Sequence, residues 1–190
     1  MTDEQRDAIL RFVRQTAEET LEGRKAPAAP AGLGDVPYGG LFVTLRDQGR
    51  LRGCMGLLAA QGSLPEALVS VTCSSLHDPR FTREPVTQAD LPNLDIEVSV
   101  LGPVRRVNDP RSLVAGRHGV VISRQGRSGC FLPQVATEQG WDLEEFLTQC
   151  CEMKAGLPGD AWQAPDTRIE AFEVEAIKEK RPRPGQQSAT

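Results

Sequence analysis

The sequence predicts an α+β fold, a largely antiparallel sheet flanked by helices, on three observations. Short stretches of alternating apolar and polar residues come in pairs around tight-turn chemistry, at Asp47-Gln48-Gly49 and at Gln125-Gly126-Arg127-Ser128-Gly129. Helical patterns stand apart from these pairs, without the regular strand–helix–strand rhythm of a parallel sheet. The chain has 190 residues, 39% hydrophobic and 25% charged, which suffices for a substantial core. One domain over residues 1–178, or two small lobes sharing a core, is therefore expected, followed by a disordered tail over 179–190 that is charged and then rich in proline and polar residues.

The elements follow in order. Thr2 and Gln5 have capping-box spacing, and Ile9, Leu10, Val13, Ala17 and Leu21 recur every three or four residues, so a helix opens the chain and ends near Gly23. Residues 24–37 hold three prolines, two glycines and four alanines, which makes them a connector. Leu41–Arg46 and Arg50–Leu58 form a predicted hairpin. Ser63 with Glu66 caps a second helix that runs toward His77, and Asp78-Pro79 stops it. A short irregular or helical piece is expected over Thr87–Leu91. Asp95–Leu101 alternates with Ile96, Val98 and Val100 on one face and Glu97 and Ser99 on the other. A second hairpin joins Val120–Arg124 to Cys130–Leu132. Asp142 caps a last helix ending at Gly156, with Leu143, Phe146, Leu147 and Cys150 facing inward. Ile169–Ile177 is a strand whose alternation slips at Ala171-Phe172, where a bulge is expected.

The chain has 26 acidic and 22 basic side chains, a net charge of −4. Sequence-independent nucleic-acid binding draws most of its affinity from a basic excess, so strong nucleic-acid binding by this chain alone is not expected. No stretch approaches the length of a membrane span, and the first residues carry scattered charges with no apolar signal core. Five irregularly spaced cysteines and two histidines fit neither a disulfide framework nor a zinc site, and reduced thiols in the cytoplasm are the better account. No metal or cofactor site of its own is expected.

Leu51-Arg52-Gly53-Cys54-Met55-Gly56 is the segment with most chemical content. On a regular strand Arg52, Cys54 and Gly56 share one face, where a guanidinium would favour the nucleophilic thiolate. Gly53 and Gly56 would let a ligand or another backbone approach closely. The alternative is a buried structural cysteine and an arginine paired with a carboxylate. If Arg52 is a ligand clamp, its truncation should cost little stability. Arg80 with Asp78 suits either anion binding or a fixed turn. Glu97 suits proton transfer if its face is enclosed, and is an ordinary surface carboxylate if not. His77 reads as a helix-end residue, His118 as a turn residue, and Cys150 and Cys151 as core.

Leu51–Gly56 resembles the L-R-G-C-[IM]-G signature of the AMMECR family, called protein A of the AmmeMemoRadiSam system in bacteria. His77-Asp78-Pro79-Arg80-Phe81 is similar to the family's D-P-R-F segment, and Ile96–Leu101 to its I-E-V-S-V-L strand. Leu132–Ala136, Trp141, Phe146-Leu147, then Cys151, Lys154–Pro158 and Trp162 continue the likeness in order, so that it covers the chain from the first helix to about Ile177. Met55 departs from the usual isoleucine, and the 24–37 connector is longer in small residues. The resemblance implies two lobes with a cleft, the signature lying at or near it, and two partners: a Memo-like protein and a radical SAM protein. On it rests the expectation of a substrate- or carrier-binding component of a modification pathway, acting on a nucleobase or RNA-linked substrate. Its candidate catalytic residues are Cys54 and Glu97. The binding candidates are Arg52, Gly53, Gly56, His77, Asp78 and Arg80, with a small anion as ligand. A free-standing thiol enzyme and a non-catalytic adaptor are the alternatives.

Overall fold

A computed structural model describes residues 1–179; residues 180–190, the remainder of the expected tail, lie outside the described residues. The chain divides into two compact units, Met1–Val100 with the segment from Ala176 onward, and Leu101–Glu175.

The first unit opens with helix α1 (Asp3–Leu21), whose capping box is complete: the Thr2 hydroxyl accepts from the Gln5 amide at 3.2 Å and the Gln5 side chain accepts from the Thr2 amide at 2.9 Å. Its buried face is Ile9, Phe12, Val13 and Ala17, rotated slightly so that Leu10 and Leu21 sit half-buried at its margin. Strands β1 (Gly40–Asp47) and β2 (Arg50–Leu57) form the first hairpin, turned through Gln48 and Gly49 at positive φ, where glycine bears no steric cost. Helix α2 (Leu64–Leu76) follows, and strand β3 (Leu94–Leu101) comes after a 3₁₀ segment at Gln88–Asn93. The hydrogen-bonded order is β2-β1-β3, then the end of the last strand, β7 (Arg168–Lys178). Leu41, Val43, Leu45, Leu94, Ile96 and Val98 of the sheet pack with Ile9, Val13, Leu64 and Leu68 of the two helices into one core. Arg14 ties the residue after β7 to this unit: it donates to the Leu91 and Leu94 carbonyls at 2.9 and 2.6 Å and pairs with Glu179.

The second unit holds a two-residue strand β4 (Arg105–Arg106), the hairpin β5 (His118–Arg124) and β6 (Arg127–Phe131), and helices α3 (Pro133–Gln139) and α4 (Leu143–Gln149). A wider π-helical turn, Cys150–Ala155, continues α4 and closes at Gly156 in the left-handed region. The order here is β6-β5-β7, with β4 also on β7. Val120, Ile122, Phe131, Phe146, Leu147 and Trp162 form its core, with the Phe131 and Phe146 rings stacked at 5.7 Å. Sequence patterning passes over α3, which is short and announced only by Pro133 at its start and Gly140 at its end.

The expected bulge at Ala171-Phe172 is not in the β5–β7 ladder, which runs unbroken from His118↔Glu173 to Ser123↔Arg168. Phe172 is buried on what alternation makes the wet face because its ring lies over Gly119 directly opposite; a Cβ there would come within 2.4 Å of the ring. A bulge occurs in β2 instead.

Candidate functional site

The β1–β2 ladder runs from Leu41↔Leu57 to Leu45↔Gly53 and resumes at Arg46↔Leu51, so Arg52 is the extra residue of a β-bulge. Leu45, the partner of Gly53, is fully buried, and Arg52 and Gly53 are consecutive buried residues. The bulge thus carries Arg52 onto the core-facing side with Gly53, while Cys54 and Gly56, opposite Thr44 and Phe42, take the other side. The shared face expected for Arg52, Cys54 and Gly56 does not form, because expected alternation assumes an unbroken strand.

Arg52 is 8% exposed and sits between two carboxylates, Nη1 3.6 Å from Asp47 and Nη2 3.5 Å from Asp90, with the Pro85 carbonyl at 3.3 Å. Asp90 also accepts from the Thr87 amide and hydroxyl at 2.7 and 2.8 Å; the Thr87 amide first, and Arg52 further off, hold its carboxyl below the ordinary range. Arg52 is here the paired, enclosed arginine of the alternative reading. The two glycines are filled by the protein itself: a Cβ on Gly53 would lie 2.0 Å from the Ser75 carbonyl oxygen, and one on Gly56 2.2 Å from the Phe42 ring.

Cys54 belongs to a different constellation. Its backbone amide donates to Asp78 at 3.0 Å, and the next amide, of Met55, donates to the Ser75 hydroxyl at 3.1 Å. Ser75 in turn donates to the Val43 carbonyl at 2.9 Å, so one buried serine of α2 binds both strands of the hairpin. Asp78 follows α2 and caps the 3₁₀ turn Pro79–Phe81, accepting from the Arg80 amide at 3.0 Å. Its side chain is fully buried and also grips the Arg80 guanidinium, with Nη2 at 2.6 Å and Nε at 3.0 Å. These bonds, that of the Arg80 side chain first, hold the Asp78 carboxyl at about 2 against the opposing effect of burial. Arg80 donates from the same Nη2 to the Cys54 carbonyl at 2.9 Å, and its side chain is 57% exposed. The Cys54 thiol is partly buried and accepts from the Thr44 hydroxyl at 3.3 Å.

Arg80, Asp78, Cys54 and Thr44 are therefore one cluster, and the other candidates lie outside its hydrogen bonds. Glu97 pairs with Lys178 at 2.9 Å. His77 turns its Nδ1 back to the Cys73 carbonyl at 2.8 Å, as a helix-end residue does. His118 opens β5 and accepts from the Val114 amide at 2.9 Å. Cys150 and Cys151 are fully buried. Sequence reasoning overlooked Thr44, Ser75, Asp47 and Asp90: each acts across strands or loops, and only the pairing register, which the bulge resets, would have located them.

The Arg80 guanidinium is thus fixed by a buried carboxylate, more than half exposed, and bonded to the Cys54 carbonyl. The fold and this cluster define an α+β protein built around an arginine–aspartate clasp on its first hairpin. The AMMECR1 family model matches residues 8–177, and the chain belongs to that family. It is 41% identical over 180 residues to a protein of Methanothermobacter thermautotrophicus, covering 90% of this chain and 92% of that one. It is 38% identical to protein MK0488 of Methanopyrus kandleri, covering 96% and 92%. The crystal structure of the uncharacterized protein PH0010 from Pyrococcus horikoshii matches with a TM-score of 0.84 and 37% identity, over 96% of this chain and 95% of that one.

Proposed function

We propose that this protein is the substrate- or carrier-binding component of a cytoplasmic modification pathway, and that it holds an anionic group of its ligand on Arg80 beside the Cys54 thiol. The observation that carries this reading is the clasp: Asp78, its side chain fully buried, fixes an arginine whose guanidinium remains more than half exposed. A guanidinium already held in place loses little freedom on binding, so its interaction with a carboxylate or phosphate is not spent on ordering it. Redox chemistry falls to the Memo-like and radical SAM partners that the family resemblance implies. A free-standing thiol enzyme fits less well: Glu97 is engaged by Lys178 and His77 by the Cys73 carbonyl, so neither candidate base is bonded to Cys54.

Thermal melts of the full chain in sodium phosphate and sodium succinate, against sodium chloride at matched ionic strength, test the reading. A bound anion raises the melting temperature with the logarithm of its concentration above Kd, by about 5–10 °C at ~100 times its Kd for a chain of this size. Arg80→Gln abolishes the rise at this site. No rise with either anion, or an equal rise in Arg80→Gln, overturns it.

A further inference from the structure

We infer that the second unit carries its own site for a small phosphate monoester, in the cavity between Arg106 and Arg111. This cavity, of about 330 Å³, is lined by both arginines, Asn108, Gln163 and Trp162. Its size is at the small end of metabolite pockets.

Charge is the first argument. Arg117, Arg124 and Arg168 of this unit each hold a carboxylate, Glu173, Asp166 and Glu170 respectively. Among the described residues neither the Arg106 nor the Arg111 guanidinium forms such a pair. Glu170 stands directly across from Arg106 in the β4–β7 register, yet its carboxylate is taken by Arg168 at 2.5 Å. Both arginines thus line one cavity without a salt-bridge partner among the described residues, and none of its lining residues is acidic, in a chain of net charge −4.

Rigidity is the second. Trp162 is 4% exposed and its indole N–H donates to the Thr148 hydroxyl at 3.3 Å, which pins the ring. The Arg111 guanidinium lies over that ring, 5.8 Å from its centroid. Asp109 caps the turn that presents Arg111, accepting from the Arg111 amide at 3.0 Å. Val107, next to Arg106, donates to the Ile169 carbonyl at 2.9 Å and so fixes the strand from which Arg106 projects. Phosphoryl oxygens then meet two guanidinium forks, and the Asn108 and Gln163 amides supply neutral donors. The remainder of the ligand rests along the apolar lining, Val107 and Ile169.

The test uses the full chain, uniformly ¹⁵N-labelled and titrated with phenyl phosphate, with phenol as the uncharged control. The Trp162 indole N–H reports on this cavity; that of Trp141, placed against Phe131, serves as reference. We expect the Trp162 peak to move saturably with phenyl phosphate and not with phenol. Arg106→Gln and Arg111→Gln each weaken binding about tenfold or more. Arg105→Gln, which removes the same charge from the neighbouring cavity of Phe172 and Glu173, leaves it unchanged. All three arginines are exposed, so these variants fold. The readout is local to Trp162, so it is independent of the fate of the Arg80 site. A Trp162 peak that stays put up to ~10 mM phenyl phosphate, or that moves equally in Arg106→Gln and Arg111→Gln, overturns the inference.

Discussion

Arg52 and Cys54, two positions apart in one strand, lie on opposite faces of the sheet, because Arg52 is the extra residue of a β-bulge. One consequence concerns stability. Arg52→Ala leaves Asp47 and Asp90 facing each other across an enclosed space without their cation. Truncating a buried pair costs about 3–5 kcal/mol; these contacts are long and the two carboxylates roughly a quarter exposed, which places the loss near about 3 kcal/mol. Urea denaturation of the two proteins measures it. A loss below about 1 kcal/mol would mean that the arginine is not structural.

Gly53 is the tightest point of the hairpin. An added methyl meets the Ser75 carbonyl oxygen at 2.0 Å, backbone against backbone, and neither element can give way without breaking the Ser75 bonds to both strands. Gly53→Ala is expected to cost at least about 3 kcal/mol or to prevent folding. Gly56→Ala is expected to be destabilising as well, since its methyl meets the Leu41 carbonyl oxygen at 2.6 Å besides the Phe42 ring. Equal melting temperatures for Gly53→Ala and wild type would refute the close approach.

The pH dependence of stability carries Asp78's signature. Its carboxyl is held at about 2, against 3.8 for an ordinary aspartate, so its contribution is complete at neutral pH and is lost as pH falls from about 4 to about 2. The shift corresponds to about 2 kcal/mol. Asp78→Asn is less stable than wild type at pH 7, and the gap closes across that acid window. A gap that is constant with pH would show that Asp78 acts without its charge.

Much of this architecture was legible from local pattern. The capping boxes of α1 and α2, the first hairpin turn and the β3 alternation are decided by residues within a few positions of one another, and the sequence reading located them. Phe172 and Arg52 mark where local pattern ends. Each departs from alternation because of a partner on a neighbouring strand, Gly119 opposite Phe172 and the skipped register beside Arg46, and sequence periodicity carries no record of register. The Arg80–Asp78 pair was visible because both residues sit in one turn. Its link to Cys54 was not, since a bond from the Cys54 amide to a side chain 24 residues away exists only in the folded chain.

Thiol chemistry separates the five cysteines. Burial pushes the Cys130 and Cys150 thiols up to about 12, and Cys151 upward as well, which disfavours the reactive thiolate in all three; Cys150 and Cys151 are also fully enclosed. Cys54, Cys73 and Cys130 are partly exposed, Cys130 with its thiol pushed up by burial. With Ellman's reagent at pH 8, Cys54 and Cys73 are expected to react first and the other three only on unfolding, as peptide mapping of the labelled protein would show. Early labelling of Cys150 or Cys151 would contradict the second unit's core.

If Arg80 and Cys54 form one anion site, the alkylation rate of Cys54 responds to anion bound there. Iodoacetamide labelling of Cys54, followed by mass spectrometry with Cys73 as internal reference, is measured as sodium phosphate or sodium succinate is added at constant ionic strength. An anion seated on Arg80 lies beside the thiol, so the Cys54 rate should fall saturably, by about tenfold near saturation, while Cys73 is unaffected. In Arg80→Gln neither anion should protect. Protection of Cys54 that persists in Arg80→Gln, or none by either anion in wild type, would rule out a shared site.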